Sequence, residues 1–402
     1  MGLSDRQRIY AAVFLRAIST AMTGILLGLF LARVGLPTAQ SGLVIGLGLA
    51  GAALASLLAT ARADAIGKRR FLVWLSIATA VFGALLPLGS SLAWLAPFAL
   101  LGMVNGMGRD RGAALVLEQA MMPSTVTDAE RTRAFAWYNV LQDAGGALGA
   151  LGAALPVLLR EHAGLDALMA LRVSLAVAAL LGLVAVALYA SLSERVEVAA
   201  AARVTISPAT RRTLTKISAL FFLDGFGGGF LTSALLSYFF FRRFGVDERS
   251  LAPLFFGAKV LNALSHFGAA WLARRIGLVN TMVFTHIPSS LLLLTVAIAP
   301  TFPVAALLFL LREGLAEMDV PTRQSYVMAV VRPEERTFAS GVTSLVRLAA
   351  WACGPAIAGV AMQGLARSAP LVAAAGMKIS YDLLLWRLFR KLRPPEETGS
   401  GA

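Results

Sequence analysis

The feature that most limits the folds open to this chain is its succession of apolar stretches, each about as long as a bilayer is thick. They fall at 9–32, 42–61, 71–89, 93–121, 134–158 and 167–191, then again at 214–241, 251–273, 280–299, 301–330, 338–364 and 369–389. A helix needs roughly 20 residues to cross about 30 Å of hydrocarbon. Lipid offers no partner to a bare N–H or C=O, so a span must satisfy its own backbone, and runs of this length do so as helices. With 58% hydrophobic residues, 14% charged residues and a mean hydropathy of +0.74, an ordinary soluble domain is excluded. The expected fold class is an all-α polytopic membrane protein with twelve transmembrane helices.

Charge supports the same reading. The formal net charge of +14 sits at the ends of the predicted helices and lacks the aromatic and basic interleaving of a nucleic-acid module, so no nucleic-acid partner is expected. Clusters such as Lys68-Arg69-Arg70, Arg211-Arg212, Arg274-Arg275 and Arg390-Lys391 fall on one side of the predicted membrane. That side is assigned to the cytoplasm. Both termini then lie inside, at a cell membrane such as a bacterial inner membrane. The first apolar run exceeds a signal-peptide h-region and reads as an uncleaved span. The single cysteine, Cys353, excludes an intramolecular disulfide and a thiolate metal cluster.

The two halves resemble each other. FLARVGLPTAQSG at 30–42 aligns with FFRRFGVDERSLA at 240–252, and DAIGKRR at 64–70 with RRIGLVN at 274–280, both 210 residues apart. The stretch 118–134 aligns with 323–339 at a separation of 205. Matching order and orientation predict two parallel six-helix repeats. The expected division is a bundle at 1–192, a cytoplasmic linker at 193–212, a second bundle at 213–391 and a polar tail at 392–402.

Asp64-Ala65-Ile66-Gly67-Lys68-Arg69-Arg70 resembles the loop between helices 2 and 3 of the major facilitator superfamily, usually GxxxDxxGxR[RK]. Asp64, Gly67 and Arg69 match, while Thr60 stands in place of the first glycine; the corresponding later loop keeps Gly277 but has Arg274 at the acidic position. The resemblance covers essentially the whole chain. It implies secondary transport by alternating access of two six-helix bundles around a central cavity, and no enzymatic activity. No Walker sequence for a nucleotide motor is present. The charged loop Asp128 to Arg133 and its counterpart Glu334-Glu335-Arg336 read as a latch on the cytoplasmic side.

Ionisable groups inside the predicted spans point to function, because a charge in hydrocarbon must meet a partner or water. The helix predicted at 301–330 carries Arg312, Glu313, Glu317, Asp319 and Arg323. Glu313 and Glu317 lie one turn apart on one face, where two close carboxylates favour sharing a proton. Pro321 predicts a kink near 317–321. Further candidates lie in other spans: Asn105, Arg109, Asp110, Arg111 and Glu118 in the fourth, Tyr138, Gln142 and Asp143 in the fifth, and Asp224 ahead of a glycine cluster in the seventh. Lys259, Asn262 and His266 share a face of the eighth, and His286 precedes Pro288 in the ninth.

Three candidate sets result. Substrate binding is assigned to Asn105, Arg109, Arg111, Tyr138, Gln142, Lys259, Asn262 and Arg312. Proton coupling is assigned to Asp110, Asp143, Asp224, Glu313, Glu317, His266 and His286. The cytoplasmic gate is assigned to Asp64, Arg69, Glu118, Arg131, Asp319, Arg323 and Arg336. No metal site is assigned.

The interior cations Arg16, Arg109, Arg111, Lys259, Arg312, Arg323 and Arg347 outnumber by one the acids read as their partners, Asp110, Asp143, Asp224, Glu313, Glu317 and Asp319, which favours an anionic or zwitterionic solute. The leading expectation is therefore proton-coupled transport of a small organic anion or zwitterion, with no cofactor beyond the proton gradient. The expected partners are that solute, protons and the lipid bilayer, around a monomer. Three alternatives stay open: a proton-driven exporter of hydrophobic cations at Asp224, Glu313 or Glu317; a transition-metal transporter using dispersed His, Met and Cys; and a non-transporting receptor or assembly protein.

Overall fold

A computed structural model describes residues 3–110, 112–127, 130–197, 206–320, 323, 326–327, 331–332 and 335–389, without the side chains of 131, 132, 209, 270 and 337. Fifteen helices of nine residues or more are described. They are α1 (Asp5–Arg33), α2 (Thr38–Ile66), α3 (Lys68–Leu85), α4 (Leu92–Leu101), α5 (Ala113–Met121), α6 (Arg131–Gly152), α7 (Leu155–Ala163) and α8 (Ala167–Ala190). The rest are α9 (Pro208–Gly229), α10 (Ser233–Phe244), α11 (Glu248–Ile276), α12 (Leu278–Ile298), α13 (Phe302–Ala316), α14 (Arg336–Gly364) and α15 (Ala369–Phe389).

The protein is an all-α polytopic membrane protein. Among the described residues, eight helical stretches are long and apolar enough to cross a membrane by length and composition. The expectation was twelve. The fourth expected span, 93–121, is broken between α4 and α5, and the tenth, 301–330, runs beyond α13 into residues outside the description. The expected spans 251–273 and 369–389 form α11 and α15 but are not among the eight, whereas 134–158 and 214–241 are, within 133–163 and 210–244, despite the turns between α6 and α7 and between α9 and α10.

The chain divides into two compact units. Unit 1 comprises Met1–Ala201 with Thr232–Phe256 and Pro355–Gly364; unit 2 comprises Ala202–Leu231, Gly257–Gly354 and Leu365–Ala402. In unit 1, α1 is the central helix and packs on α6, α8 and α10, while α3 lies on α8 and α2 on α4. A capping box starts α1: Ser4 accepts from the Gln7 N–H, and Gln7 answers to the Ser4 N–H at 2.9 Å. Every residue from Gly24 to Ala32 is buried, except in name a helix that is apolar all round. Small residues permit that depth. A Cβ at Gly149 of α6 would overlap the backbone of Ile18 in α1, so the two helices meet main chain to main chain.

In unit 2, α12 packs against both α13 and α15, and α15 against α9. Their core gathers Phe221, Met282, Val283, Tyr381 and Leu385. Here too glycine sets the approach: a Cβ on Gly354 of α14 would stand 2.6 Å from the Cα of Gly229 at the end of α9.

The break in the fourth span shapes the site most directly. After α4, Met103 takes φ 49° and Gly108 φ 68°, both left-handed. Non-helical backbone within an apolar stretch requires replacement partners, and several are identifiable. Val104 N–H donates to Ala99 O at 3.0 Å, and Ala234 N–H to Gly106 O at 3.0 Å. Ser233 Oγ donates to Met107 O at 2.9 Å. Asn105 works in both directions, accepting from Met107 N–H at 2.9 Å and donating to Arg109 O at 2.7 Å.

Candidate functional site: two buried charge clusters

Unit 1 buries one guanidinium against two carboxylates. Arg16 of α1 sends Nη1 and Nη2 to the two oxygens of Glu118 at 2.7 Å each, and Nε to Asp110 Oδ2 at 2.6 Å. A planar fork matches a carboxylate edge in this way, which an ammonium cannot do. Tyr138 of α6 and Tyr189 of α8 donate to Glu118 at 2.6 and 2.5 Å. Glu118, Tyr138 and Tyr189 are 0% exposed. Gln142 Nε2 donates to Asp110 O at 2.7 Å. The break after α4 thus delivers Asp110 to Arg16, while α5 delivers Glu118.

Unit 2 buries a larger cluster around Asp224, on α9. Asp224 Oδ1 accepts from Lys378 Nζ at 2.9 Å; its Oδ2 lies 3.4 Å from Arg347 Nη2 and 3.6 Å from Arg323 Nη1. Arg323 also pairs with Asp319, one turn earlier. Lys378 Nζ is 3.3 Å from His286 Nε2, and His286 Nδ1 is 3.0 Å from Asp382 Oδ1. The cations are further held on aromatic faces, Arg323 over Phe221 at 5.5 Å and Arg347 over Trp351 at 5.0 Å. Beside it, Asn262 Nδ2 donates to Glu313 Oε2 at 2.9 Å, and Arg312 pairs with Glu313.

Each candidate can now be placed. Of the substrate set, Asn105 and Gln142 hold the broken backbone and Tyr138 holds Glu118, whereas Asn262 and Arg312 surround Glu313. Arg109 and Lys259 are half-buried; Arg111 lies outside the described residues. Of the proton set, Asp110, Asp224, Glu313 and His286 are buried among charged or polar partners. Asp143 is exposed, and Glu317 ends α13 half-buried. The expected kink is a helix end at Glu317, four residues ahead of Pro321. His266 is half-buried, and its Nδ1 has no hydrogen-bond partner among the described residues.

Of the gate set, Asp64 is exposed and pairs with Lys68 at 2.5 Å, and Arg69 Nη1 donates to Leu192 O at 2.7 Å. Arg336 is exposed, and the Arg131 side chain lies outside the described residues. Glu118, Asp319 and Arg323 lie in the buried clusters. Lys378 and Asp382 were not among the candidates. Their signal was there to read, as the one opposite-charge pair at i and i+4 inside the apolar run 369–389.

Outside the spans, acidic side chains fasten helix starts within each unit. Glu197 accepts from the N–H groups of Lys68 and Arg69 at 2.8 and 3.0 Å, capping α3. Glu335 accepts from Thr210 Oγ1 and from the Ser207 N–H at the start of α9. The Thr210 hydroxyl, followed by the Ser207 N–H, holds the Glu335 carboxyl below its ordinary value. Among the described residues, no group of three or more His, Cys, Asp or Glu is placed to hold a metal ion.

Apolar helices of membrane-crossing length define a multi-pass helical membrane protein, and ion pairs are buried among its helices. The chain belongs to the Major Facilitator Superfamily, whose family model matches residues 9–355. It is 24% identical over 420 residues to the uncharacterized membrane protein YJR124C of Saccharomyces cerevisiae, covering 96% of this chain and 94% of that one. Similar solved folds include the nucleoside transporter NupG, with a TM-score of 0.72 at 14% identity over 96% of this chain and 100% of that one. The human organic anion transporter MFSD10 aligns with a TM-score of 0.59 at 19% identity over 94% and 99%. A POT family transporter in complex with 5-aminolevulinic acid aligns with a TM-score of 0.73 at 12% identity over 96% of both chains. The protein is thus a secondary transporter rather than an enzyme.

Proposed function

We propose that this transporter moves a small organic anion or zwitterion by alternating access, coupled to protons, with both termini on the cytoplasmic side. The domain reading that accompanies it is two six-helix repeats at 1–192 and 213–391 joined through 193–212. The observation that carries the proposal is the convergence of Lys378, Arg347 and Arg323 on the single carboxylate of Asp224. Three cations around this carboxylate, Lys378 and Arg323 buried and Arg347 half-buried, with Asp319 also on Arg323, form a site that an incoming anionic group can enter by exchanging ion-pair partners. Arg347 and Arg323 offer the planar donor sets suited to a carboxylate or phosphate.

The solutes of proteins with similar folds, a nucleoside, an organic anion and 5-aminolevulinic acid, differ too widely to select one. The side chains favour the anionic or zwitterionic class. The test is a thermal-stability screen of purified protein against organic anions, zwitterions, amphipathic cations and divalent metals. Stabilisation by anions or zwitterions, lost in Arg347→Met, is the expected result. Stabilisation by amphipathic cations or metals alone would contradict it.

A further inference from the structure

Unit 2 contains a hydrogen-bond chain whose direction of donation is set by its ends. It runs from Asp224 through Lys378 and His286 to Asp382, with contacts of 2.9, 3.3 and 3.0 Å. An ammonium only donates and a carboxylate only accepts. With Lys378 as the ammonium and Asp382 as the carboxylate, His286 Nε2 accepts from Lys378 and Nδ1–H donates to Asp382, which is the neutral Nδ1–H tautomer. Lys378, His286 and Asp382 are 8%, 2% and 0% exposed, which leaves little room for water to substitute for any of these partners.

A proton can add to that ring only at Nε2, the nitrogen already occupied by Lys378. Once added, the new N–H and the ammonium would face each other as two donors. We infer that His286 and Lys378 form a proton switch: protonation of His286 Nε2 breaks the Lys378–His286 hydrogen bond, displaces the ammonium, and leaves the imidazolium paired with Asp382. Only N–H bonds and hydrogen bonds change, and the proton is taken from water and returned to it. The inference rests on the proton-coupled reading above and names the carrier within it.

Placement explains how the switch reaches the helices. His286 lies on α12, Asp224 on α9, and Lys378 and Asp382 one turn apart on α15. The same ammonium ties α15 to α9. Its displacement leaves Asp224 to Arg347 of α14 and to Arg323, which is shared with Asp319. The other helix packed on α12 is α13, whose Arg312 and Glu313 pair with each other. The Tyr381 ring meets the imidazole edge-on at 6.2 Å. Asp382 Oδ2 has no hydrogen-bond partner among the described residues, so it has acceptor capacity for an imidazolium.

The chain has three histidines, so His162→Gln with His266→Gln leaves His286 as the one imidazole signal. The test is nitrogen NMR of the full-length protein, labelled at His and Lys, in lipid nanodiscs with the proton as sole probe. The expected result at alkaline pH is the Nδ1–H tautomer with Nε2 accepting from a lysine. On acidification the imidazolium should grow over the same range in which that lysine contact disappears. In Lys378→Met the imidazolium-to-neutral ratio at a fixed pH should rise on the order of tenfold, because an adjacent cation is gone.

An Nε2–H tautomer in the background carrying Lys378, or a ratio unchanged by Lys378→Met, would overturn the switch. The tautomer measurement does not need the Lys378 variant, so it decides even if that variant does not fold. Failure of the transport reading is distinguishable: solute flux indifferent to a pH gradient would remove proton coupling and leave the tautomer result standing.

Discussion

Arg16 holds Glu118 by a two-pronged grip, Nη1 on Oε1 and Nη2 on Oε2, each at 2.7 Å and with Glu118 fully buried. A lysine could reach only one of those oxygens well. Arg16→Met leaves the Glu118 and Asp110 carboxylates without their guanidinium and is expected to cost about 3–5 kcal/mol. Adding Glu118→Gln to it should restore part of that loss. Thermal unfolding of the two variants in detergent checks the coupling; equal destabilisation by Arg16→Met in both backgrounds would mean the pair is not coupled.

Asn105 supports the broken fourth span with both ends of its amide. Asn105→Asp keeps the acceptor for Met107 N–H and loses the donor to Arg109 O, whereas Asn105→Ala loses both. The expected order of destabilisation is Ala above Asp, with roughly 1–3 kcal/mol for each buried backbone group left bare. Denaturant titration of the purified variants measures it.

Gly354→Val should be among the most damaging single substitutions in unit 2. Its side chain would meet the backbone of Gly229, which cannot move as a flexible side chain can, and overpacking of this kind costs roughly 1–3 kcal/mol or more. Gly376, with open space where a Cβ would stand, is the control: Gly376→Ala should leave the midpoint of thermal unfolding unchanged or slightly raised.

Glu335 supplies a pH dependence with a definite sign. Its carboxyl is held below the ordinary value by Thr210 and Ser207, so its fastening of the α9 start is complete above about pH 4.3, the usual Glu value. It is lost as pH falls through the lower value of the folded state. Hydrogen exchange at the Ser207 and Thr210 amides, corrected for intrinsic rates, should be slow at neutral pH and accelerate in acid. Glu335→Gln should raise the neutral rate and weaken the acid response.

These predictions differ in how far the sequence announced their residues. Two pairs of glycine turns were legible: Gly35 and Gly245, aligned at 30–42 and 240–252, take φ of 76° and 71°, and Gly67 and Gly277 take 99° and 84°. A left-handed turn favours glycine, so loops of one conformation carry one residue at the positions the sequence aligns. The breaks were less legible. Hydropathy averages over a window, and 93–121 stays apolar enough to read as one helix despite Gly102, Asn105, Gly106, Gly108 and Gly112. Those punctuating residues carried the information.

The buried clusters were half legible. Asp224, Arg323 and His286 stood out as charged or titratable groups within spans, but sequence spacing cannot bring α9, α12 and α15 together. Lys378 and Asp382 escaped notice because a single i, i+4 pair of opposite charge looks self-sufficient. In the structure the two meet through a third residue: Lys378 turns to Asp224 and His286, and Asp382 to the other nitrogen of His286.

The central claim, proton-coupled transport through buried ion pairs, is tested most directly by uptake of the stabilising solute into proteoliposomes under an imposed pH gradient. For electroneutral coupling to one proton, accumulation should approach about tenfold for each pH unit. It should collapse to equal concentrations when a protonophore is added. Uptake that stops at equal concentrations with the gradient intact would contradict the account.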